Sequence, residues 1–177
     1  MGIGILSLQR IYLGEVMGMK MDAVSTTAAI AILKDKLGLS MELAELERAF
    51  LHSSFIGEHS ECGKSNERLE FLGDAVIELA VREHLFERFP EENEGALTQR
   101  KAARVSDVQL ARHAQALGLD QCVFLGKGAE ETGGRATTSI LAGAFEALAG
   151  VVFLCEGYPR AKRFVCEHLS LDRNSAD

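Results

Sequence analysis

Apolar residues recur along the chain at three- and four-residue steps rather than in alternation. With only two prolines in the sequence, this spacing predicts helices and argues against a β-sandwich. Residues 23–37 read as a helix stopped by Gly38. Residues 41–50 read as a second, with Leu43, Leu46 and Phe50 on one face. The polar, glycine-containing stretch 57–65 predicts a loop. The longest periodic stretch is 66–89, ended by Pro90, with Leu69, Leu72, Val76, Leu79 and Ala80 stepping by three and four. Ser106 and Gln109 make a capping-box pattern at the head of a helix running to about Leu117 and stopped by Gly118. Residues 126–134 (GKGAEETGG) predict a loop, 137–155 a buried helix, and 158–169 a terminal amphipathic helix. The expected fold is all-α, a helical bundle in one domain over residues 23–170. A loose arm or over-extended start is expected at 1–22, and a tail at 171–177.

The composition changes this picture little: 177 residues, 47% hydrophobic and 25% charged, describe one globular domain. Charge narrows the function more. Nineteen Lys and Arg against 26 Asp and Glu leave a formal −7, which argues against a polybasic wrap around nucleic acid or an anionic membrane. It leaves room for a nucleic-acid enzyme whose acidic residues hold metal ions. Cys62, Cys122, Cys155 and Cys166 stand apart with no CxxC pair, so neither a zinc site nor a disulfide framework is indicated. Reduced cytoplasmic thiols are the simple reading, with Cys155 and Cys166 at buried helical positions. No apolar run is read as long enough to span a membrane, and the start lacks a signal-peptide hydrophobic region.

Polar residues inside apolar helices are the informative feature. In NERLEFLGDAV, Glu67, Glu70 and Asp74 lie at i, i+3 and i+7, within about 60° of one another on a helical wheel. Stacked like charges repel, and a sequence keeps that cost where something cationic sits. A solvated acidic face is the bland alternative, but Leu69, Leu72 and Val76 make this the most apolar part of the chain. In SILAGAFEALAGVVFL the single carboxylate is Glu146. Buried without a partner it would cost several kcal/mol, on the order of any isolated buried charge. Either an arginine pairs with it, or it shares a cation with Glu70 and Asp74. Magnesium suits the second reading, because it takes hard oxygen ligands through few carboxylates. Such clusters activate water and stabilise the leaving oxygen in phosphodiester hydrolysis.

The segment NERLEFLGD, residues 66–74, resembles the signature of the ribonuclease III family. The resemblance continues in AFLHSSF (49–55), FPEENEG (89–95), LGKGAEETGG (125–134) and SILAGAFEALAGVVFL (139–154), and covers roughly 41–169. It implies an all-helical endonuclease domain that dimerises through its signature helix. The paired subunits would form a valley for double-stranded RNA, with Mg²⁺-dependent cleavage, Mn²⁺ being able to substitute. By position, Glu70 and Asp74 correspond to the family's metal-binding carboxylates and Glu146 to the essential one on the later helix, with Asp74 and Glu146 catalytic. Glu67 and Glu94 match acidic positions that help shape the cleavage site. A helix N-terminal charge and an exposed loop charge explain these two as well.

Two departures from the family pattern stand out. Where the family reads SILAD-x-x-E, this sequence reads SILAGAFE, so Gly143 occupies a metal-ligand position. One oxygen ligand is gone, and glycine in a helix interior also costs roughly 0.5–1 kcal/mol relative to Ala. The expectation is a weakened site on Glu70, Asp74 and Glu146; the alternative is a domain that no longer cuts. Second, bacterial-type members continue into a double-stranded-RNA-binding domain, whereas this sequence ends at Asp177. It is then a short gene product or a fragment, and a separate RNA-binding partner could supply the grip. Arg100, Lys101 and Arg104 are candidate phosphate contacts, although a solvated helix face explains them equally.

Weaker motifs fall away. Gly126–Lys127–Gly128 lacks the GxxxxGK[ST] pattern of a P-loop. Gly133–Gly134 reads as a turn needing positive φ, and His52 reads as structural. The leading expectation is a cytoplasmic, homodimeric, Mg²⁺-dependent endoribonuclease acting on double-stranded RNA such as rRNA precursors, weakened by Gly143. The second is a catalytically silent form of the same fold, serving as an RNA-binding or protein-interaction module. Phe71, Leu72 and Val76 give the signature helix more apolar surface than one thin domain hides, which predicts a two-fold dimer.

Overall fold

The computed structural model describes residues 19–171. The greater part of the expected arm (1–18) and of the tail (172–177) lies outside the described residues. Nine α-helices follow in order among the described residues. They are α1 (Met19–Leu37), α2 (Leu43–Glu47), α3 (Ser53–Glu58), α4 (Glu67–Arg88), α5 (Glu94–Val105), α6 (Asp107–Leu117), α7 (Lys127–Glu131), α8 (Thr138–Glu156) and α9 (Tyr158–His168). Short 3₁₀ turns fill several gaps, and the one β feature among these residues is an isolated parallel bridge between Leu51 and Phe124.

The bundle is organised around α8. Its most extensive packing is against α4, then α6, with α9 beside both α4 and α8. Phe145 and Leu148 of α8 are wholly buried, and Phe145 stacks on Phe164 of α9 with ring centroids 5.4 Å apart. A helix surrounded in this way is apolar on every side. That corrects the expectation that no segment is long enough to span a bilayer, since Thr138–Glu156 passes by length and composition. Its burial by α4, α6 and α9 explains the same composition.

Other differences from the sequence pattern have local causes. α7 is a single turn of helix formed where glycine content predicts a loop, and α3 runs two residues into the predicted loop at 57–65. The His52 side chain accepts from the Ser54 N–H at the start of α3 (3.2 Å), which agrees with its structural reading. At α7 a Glu58 carboxylate oxygen accepts the Lys127 N–H at 2.8 Å. The capping box at α6 is not made: Ser106 is the N-cap, but no side-chain bond caps the helix, and Gln109 turns to Arg112 instead. Leu79 does not join the core and stands 54% exposed, because the inward stripe of α4 runs through Val76, Ile77, Ala80 and Val81. Cys155, expected to be buried, is exposed, whereas Cys166 is buried. Gly133 takes the positive φ expected of it; Gly134 does not, and is needed instead for a close approach to the Ala129 carbonyl.

Candidate active site

Two glycines set the geometry of the site. A Cβ on Gly73 of α4 would stand 1.7 Å from the carbonyl oxygen of Glu146, and one on Gly150 of α8 would stand 2.4 Å from the carbonyl oxygen of Leu69. The two helices therefore cross backbone to backbone, an approach that no side chain at either position would permit. Glu70 and Asp74 flank Gly73, so the crossing brings them to the level of Glu146. The sequence pattern supplies the acids. The glycines, which sequence reasoning passed over, supply the distance.

The electrostatics follow from that contact. Glu146 is half-buried, and its carboxyl is pushed up to about 7, first by burial and then by the negative charges of Asp74, Glu70 and Asp107. Glu70 is also raised above the usual carboxylate range, by burial and then by Glu67 and Asp107. Burial and like charge both disfavour the ionised form. Of the two partners expected for Glu146, the arginine is excluded among the described residues. Among the described residues, no basic side chain forms an ion pair with Glu146, Glu70, Asp74 or Asp107.

Asp107 is the member that sequence reasoning missed. It opens α6, where an acid reads as an ordinary complement to the helix dipole. Only the packing of α6 on α8 places its charge within reach of Glu146 and Glu70. Glu67 is exposed, accepts from the Ser65 hydroxyl at 2.8 Å, and adds its charge to the Glu70 side. Glu94 opens α5 and accepts from the Thr98 hydroxyl at 3.1 Å.

Gly143 faces the same group. A Cβ there would lie 2.7 Å from Oε2 and 2.9 Å from Cδ of Glu70, so the Glu70 carboxylate lies directly over the bare α-carbon. The donors are hard carboxylate oxygens with no counter-charge among the described residues, which fits a hard divalent cation. Among the described residues, no three His, Cys, Asp or Glu side chains are drawn into one metal-holding cluster. The acids meet as mutually repelling neighbours, not as a closed coordination shell.

The basic candidates are engaged elsewhere. Arg100 makes a two-pronged bond to Glu92 (2.7 and 2.6 Å) and lies over the Phe89 ring, 4.1 Å from its centroid. Lys101 donates to Glu78 at 2.7 Å, and Arg104 donates to the Arg100 carbonyl. On the outer face of α4, Phe71, Leu79 and Phe86 are 82%, 54% and 73% exposed.

A family model described as ribonuclease-III-like matches residues 43–172. "Ribonuclease 3" of Pelotomaculum thermopropionicum is 46% identical over 143 residues, covering 80% of this chain and 59% of that protein. "Ribonuclease 3" of Oleidesulfovibrio alaskensis is 51% identical over 120 residues, covering 68% of this chain and 52% of its own length. The chain thus spans between about half and three-fifths of the length of these relatives. Among solved structures, the nuclease domain of ribonuclease III from Campylobacter jejuni superposes with a TM-score of 0.73 at 34% identity. It covers 78% of this chain and 94% of that one, and is described as having structural flexibility in a region involved in dimer formation.

Proposed function

The chain belongs to the ribonuclease III family, and we propose that it forms the nuclease part of a metal-dependent endoribonuclease that cuts double-stranded RNA as a two-fold dimer. The observation that carries this reading is the meeting of Glu70, Asp74 and Glu146 across the α4–α8 crossing with no cation among the described residues to neutralise them. The nuclease unit extends over residues 23–170.

Glu70, Asp74 and Glu146 would hold Mg²⁺, with Mn²⁺ able to replace it. When bound, such an ion supplies Lewis-acid stabilisation of phosphodiester oxygens and lowers the pKa of water. Asp74 and Glu146 carry the catalytic role, each presenting carboxylate oxygens from a helix the crossing holds rigid. Glu67 and Glu94 shape the cleavage site from its rim. Arg100, Lys101 and Arg104 meet RNA phosphates only by exchanging their present partners Glu92, Glu78 and the Arg100 carbonyl. Gly143 contributes no ligand oxygen, so the site works below the strength of one with an acid there. The stripe of Phe71, Leu79 and Phe86 is the face that a second copy covers, because exposed apolar surface of this kind favours association. A cytoplasmic setting, rRNA precursors as substrate and a separate RNA-binding partner accompany this reading.

One observation favours a second reading: Gly143 leaves a ligand position without an oxygen, as a catalytically silent RNA- or protein-binding module would. The deciding experiment is a cleavage assay on long duplex RNA with Mg²⁺ and with Mn²⁺. Slow cutting that Glu146→Gln lowers by about 10²–10³-fold is expected. A folded dimer that binds Mn²⁺ and leaves duplex RNA intact in both metals overturns the enzyme in favour of the module.

A further inference from the structure

We propose that Gly143 is a positioning residue. Its missing side chain makes a seat on α8 for the Glu70 carboxylate, which stands where a ligand from position 143 itself would stand. This rests on the reading that the carboxylates serve a divalent cation. It goes further by giving the glycine a constructive role rather than treating it as a gap.

The geometry is specific. A Cβ at residue 143 would lie 2.7 Å from Oε2, 2.9 Å from Cδ and 3.4 Å from Oε1 of Glu70. All three atoms of the carboxylate crowd one point, so the group rests on the α-carbon instead of passing beside it. Gly143 is buried, and Glu146 follows it by three residues on the same helical face. The seat thus sets Glu70 beside Glu146 on α8, although its own backbone belongs to α4. Separating the two backbones to accommodate a side chain at 143 would break the close crossing. The helices are pinned at Gly73 against Glu146 and at Gly150 against Leu69. The one part free to give is the end of the Glu70 side chain. A methyl group at 143 therefore dislodges the carboxylate and leaves the fold in place.

The test is Mn²⁺ titration calorimetry on the full chain, comparing wild type with Gly143→Ala, Glu70→Gln and the double variant. Gly143→Ala should weaken Mn²⁺ binding about tenfold, the loss typical when a residue that orients a ligand is changed. Because residue 143 acts through Glu70, the double variant should bind no more weakly than Glu70→Gln alone. The melting temperature of Gly143→Ala should hold or rise, since alanine is the better helix former. Glu70→Asp serves if Gly143→Ala fails to fold. It withdraws the carboxylate by one methylene with the glycine untouched, and should also lose about tenfold. Gly143→Ala or Glu70→Asp affinity within about twofold of wild type overturns the proposal, as do additive losses in the double variant. Wild-type protein that takes up no Mn²⁺ overturns it too. Coupled Mn²⁺ binding without RNA cleavage would sink the enzyme reading and leave the seat standing. Cleavage by wild type with unchanged Mn²⁺ affinity in Gly143→Ala would do the reverse.

Discussion

The two halves of α4 carry similar numbers of acids and treat them in opposite ways. In the second half every carboxylate has a cationic or hydroxyl partner. Glu78 accepts from Lys101 and Arg82 at 2.7 and 2.8 Å, Glu83 accepts from the Tyr158 hydroxyl and pairs with Lys162 at 3.1 Å, and Glu87 shares Lys162. Burial works against the charge of Glu78, but the bonds from Lys101 and Arg82 win and hold it below the usual carboxylate range. Glu83 is lowered as well, by Tyr158 and then Lys162. In the first half, Glu70 and the facing Glu146 are raised, by burial and then by other acids. The same helix thus shows what paired carboxylates look like, and how different a group of acids is that meets no counter-charge among the described residues.

The contrast depends on the crossing, so removing the crossing gives the largest effect. Gly73→Ala puts a Cβ 1.7 Å from the Glu146 carbonyl oxygen, and backbone cannot yield as a side-chain tip can. Overpacking of this severity should cost at least about 3 kcal/mol, or roughly 6–12 °C in melting temperature for a domain of this size. Cleavage should disappear with it. A Gly73→Ala protein melting within a degree or two of wild type would mean that the two helices do not touch as described.

Glu146→Gln comes next, with cleavage falling about 10²–10³-fold, as when one preorganised charge-stabilising group is removed. Stability should move the other way. The folded Glu146 carboxyl titrates near 7, above the ordinary value of 4.5, so between those values the folded protein holds a proton that the unfolded chain has released. The stabilisation from this group is therefore complete below the ordinary value and is lost as pH rises toward about 7. Glu78 and Glu83, lowered in the fold, contribute with the opposite sign and lose their contribution as pH falls. In metal-free protein, melting temperature should thus decline between pH 5 and 7 more steeply in wild type than in Glu146→Gln. Identical slopes would remove the electrostatic distinction between the two regions.

How much of this was legible beforehand divides along the same line. Glu70, Asp74 and Glu146 stand out in sequence because charge inside an apolar helical period is costly, and cost is visible in one dimension. The helices carrying them are long and strongly periodic, so α4 and α8 fall within a residue or two of their predicted bounds. Asp107 is not legible, since an acid at the head of a helix is ordinary and only the packing of α6 gives it another meaning. Gly73 and Gly150 are equally silent: what makes them necessary is the backbone of the opposite helix. Leu79 is misread because a three-four step is satisfied by two adjacent faces of α4, and only one of them meets α8. The capping box fails for a local reason, Gln109 reaching Arg112 instead of the Ser106 N–H.

A smaller effect sharpens the comparison from within the unpaired half. Gly143→Asp introduces the same Cβ as Gly143→Ala and so displaces the Glu70 carboxylate, but it brings an oxygen of its own to the face shared with Glu146. Rotating the tip of Glu70 away costs little beside a backbone shift. We expect faster duplex-RNA cleavage than in Gly143→Ala at limiting Mg²⁺, by roughly the tenfold that one ligand-orienting contact is worth. The advantage should shrink at saturating metal if binding is what the oxygen improves. Rates of cleavage across a Mg²⁺ titration check it, and a Gly143→Asp protein slower than Gly143→Ala at every concentration would contradict it.

The smallest effect belongs to the paired half and asks whether its cations are committed to structure. Lys101 bonds Glu78 across the α4–α5 contact with both side chains mostly shielded, at 18% and 26% exposure. A pair of this kind is worth about 0.2–1 kcal/mol, so Lys101→Ala should lower the melting temperature by no more than roughly 4 °C in a domain of this size. If structure is its whole role, RNA affinity and its dependence on salt should stay as in wild type. A lysine that leaves Glu78 to meet a phosphate gives a different signature: binding weakens evenly across RNA sequences, and the slope of log affinity against log salt falls by about one. Filter binding to duplex RNA at several salt concentrations, set beside the melting curve, separates the two. An altered salt slope with an unchanged melting temperature would move Lys101 from the scaffold of α4 to the RNA-binding face.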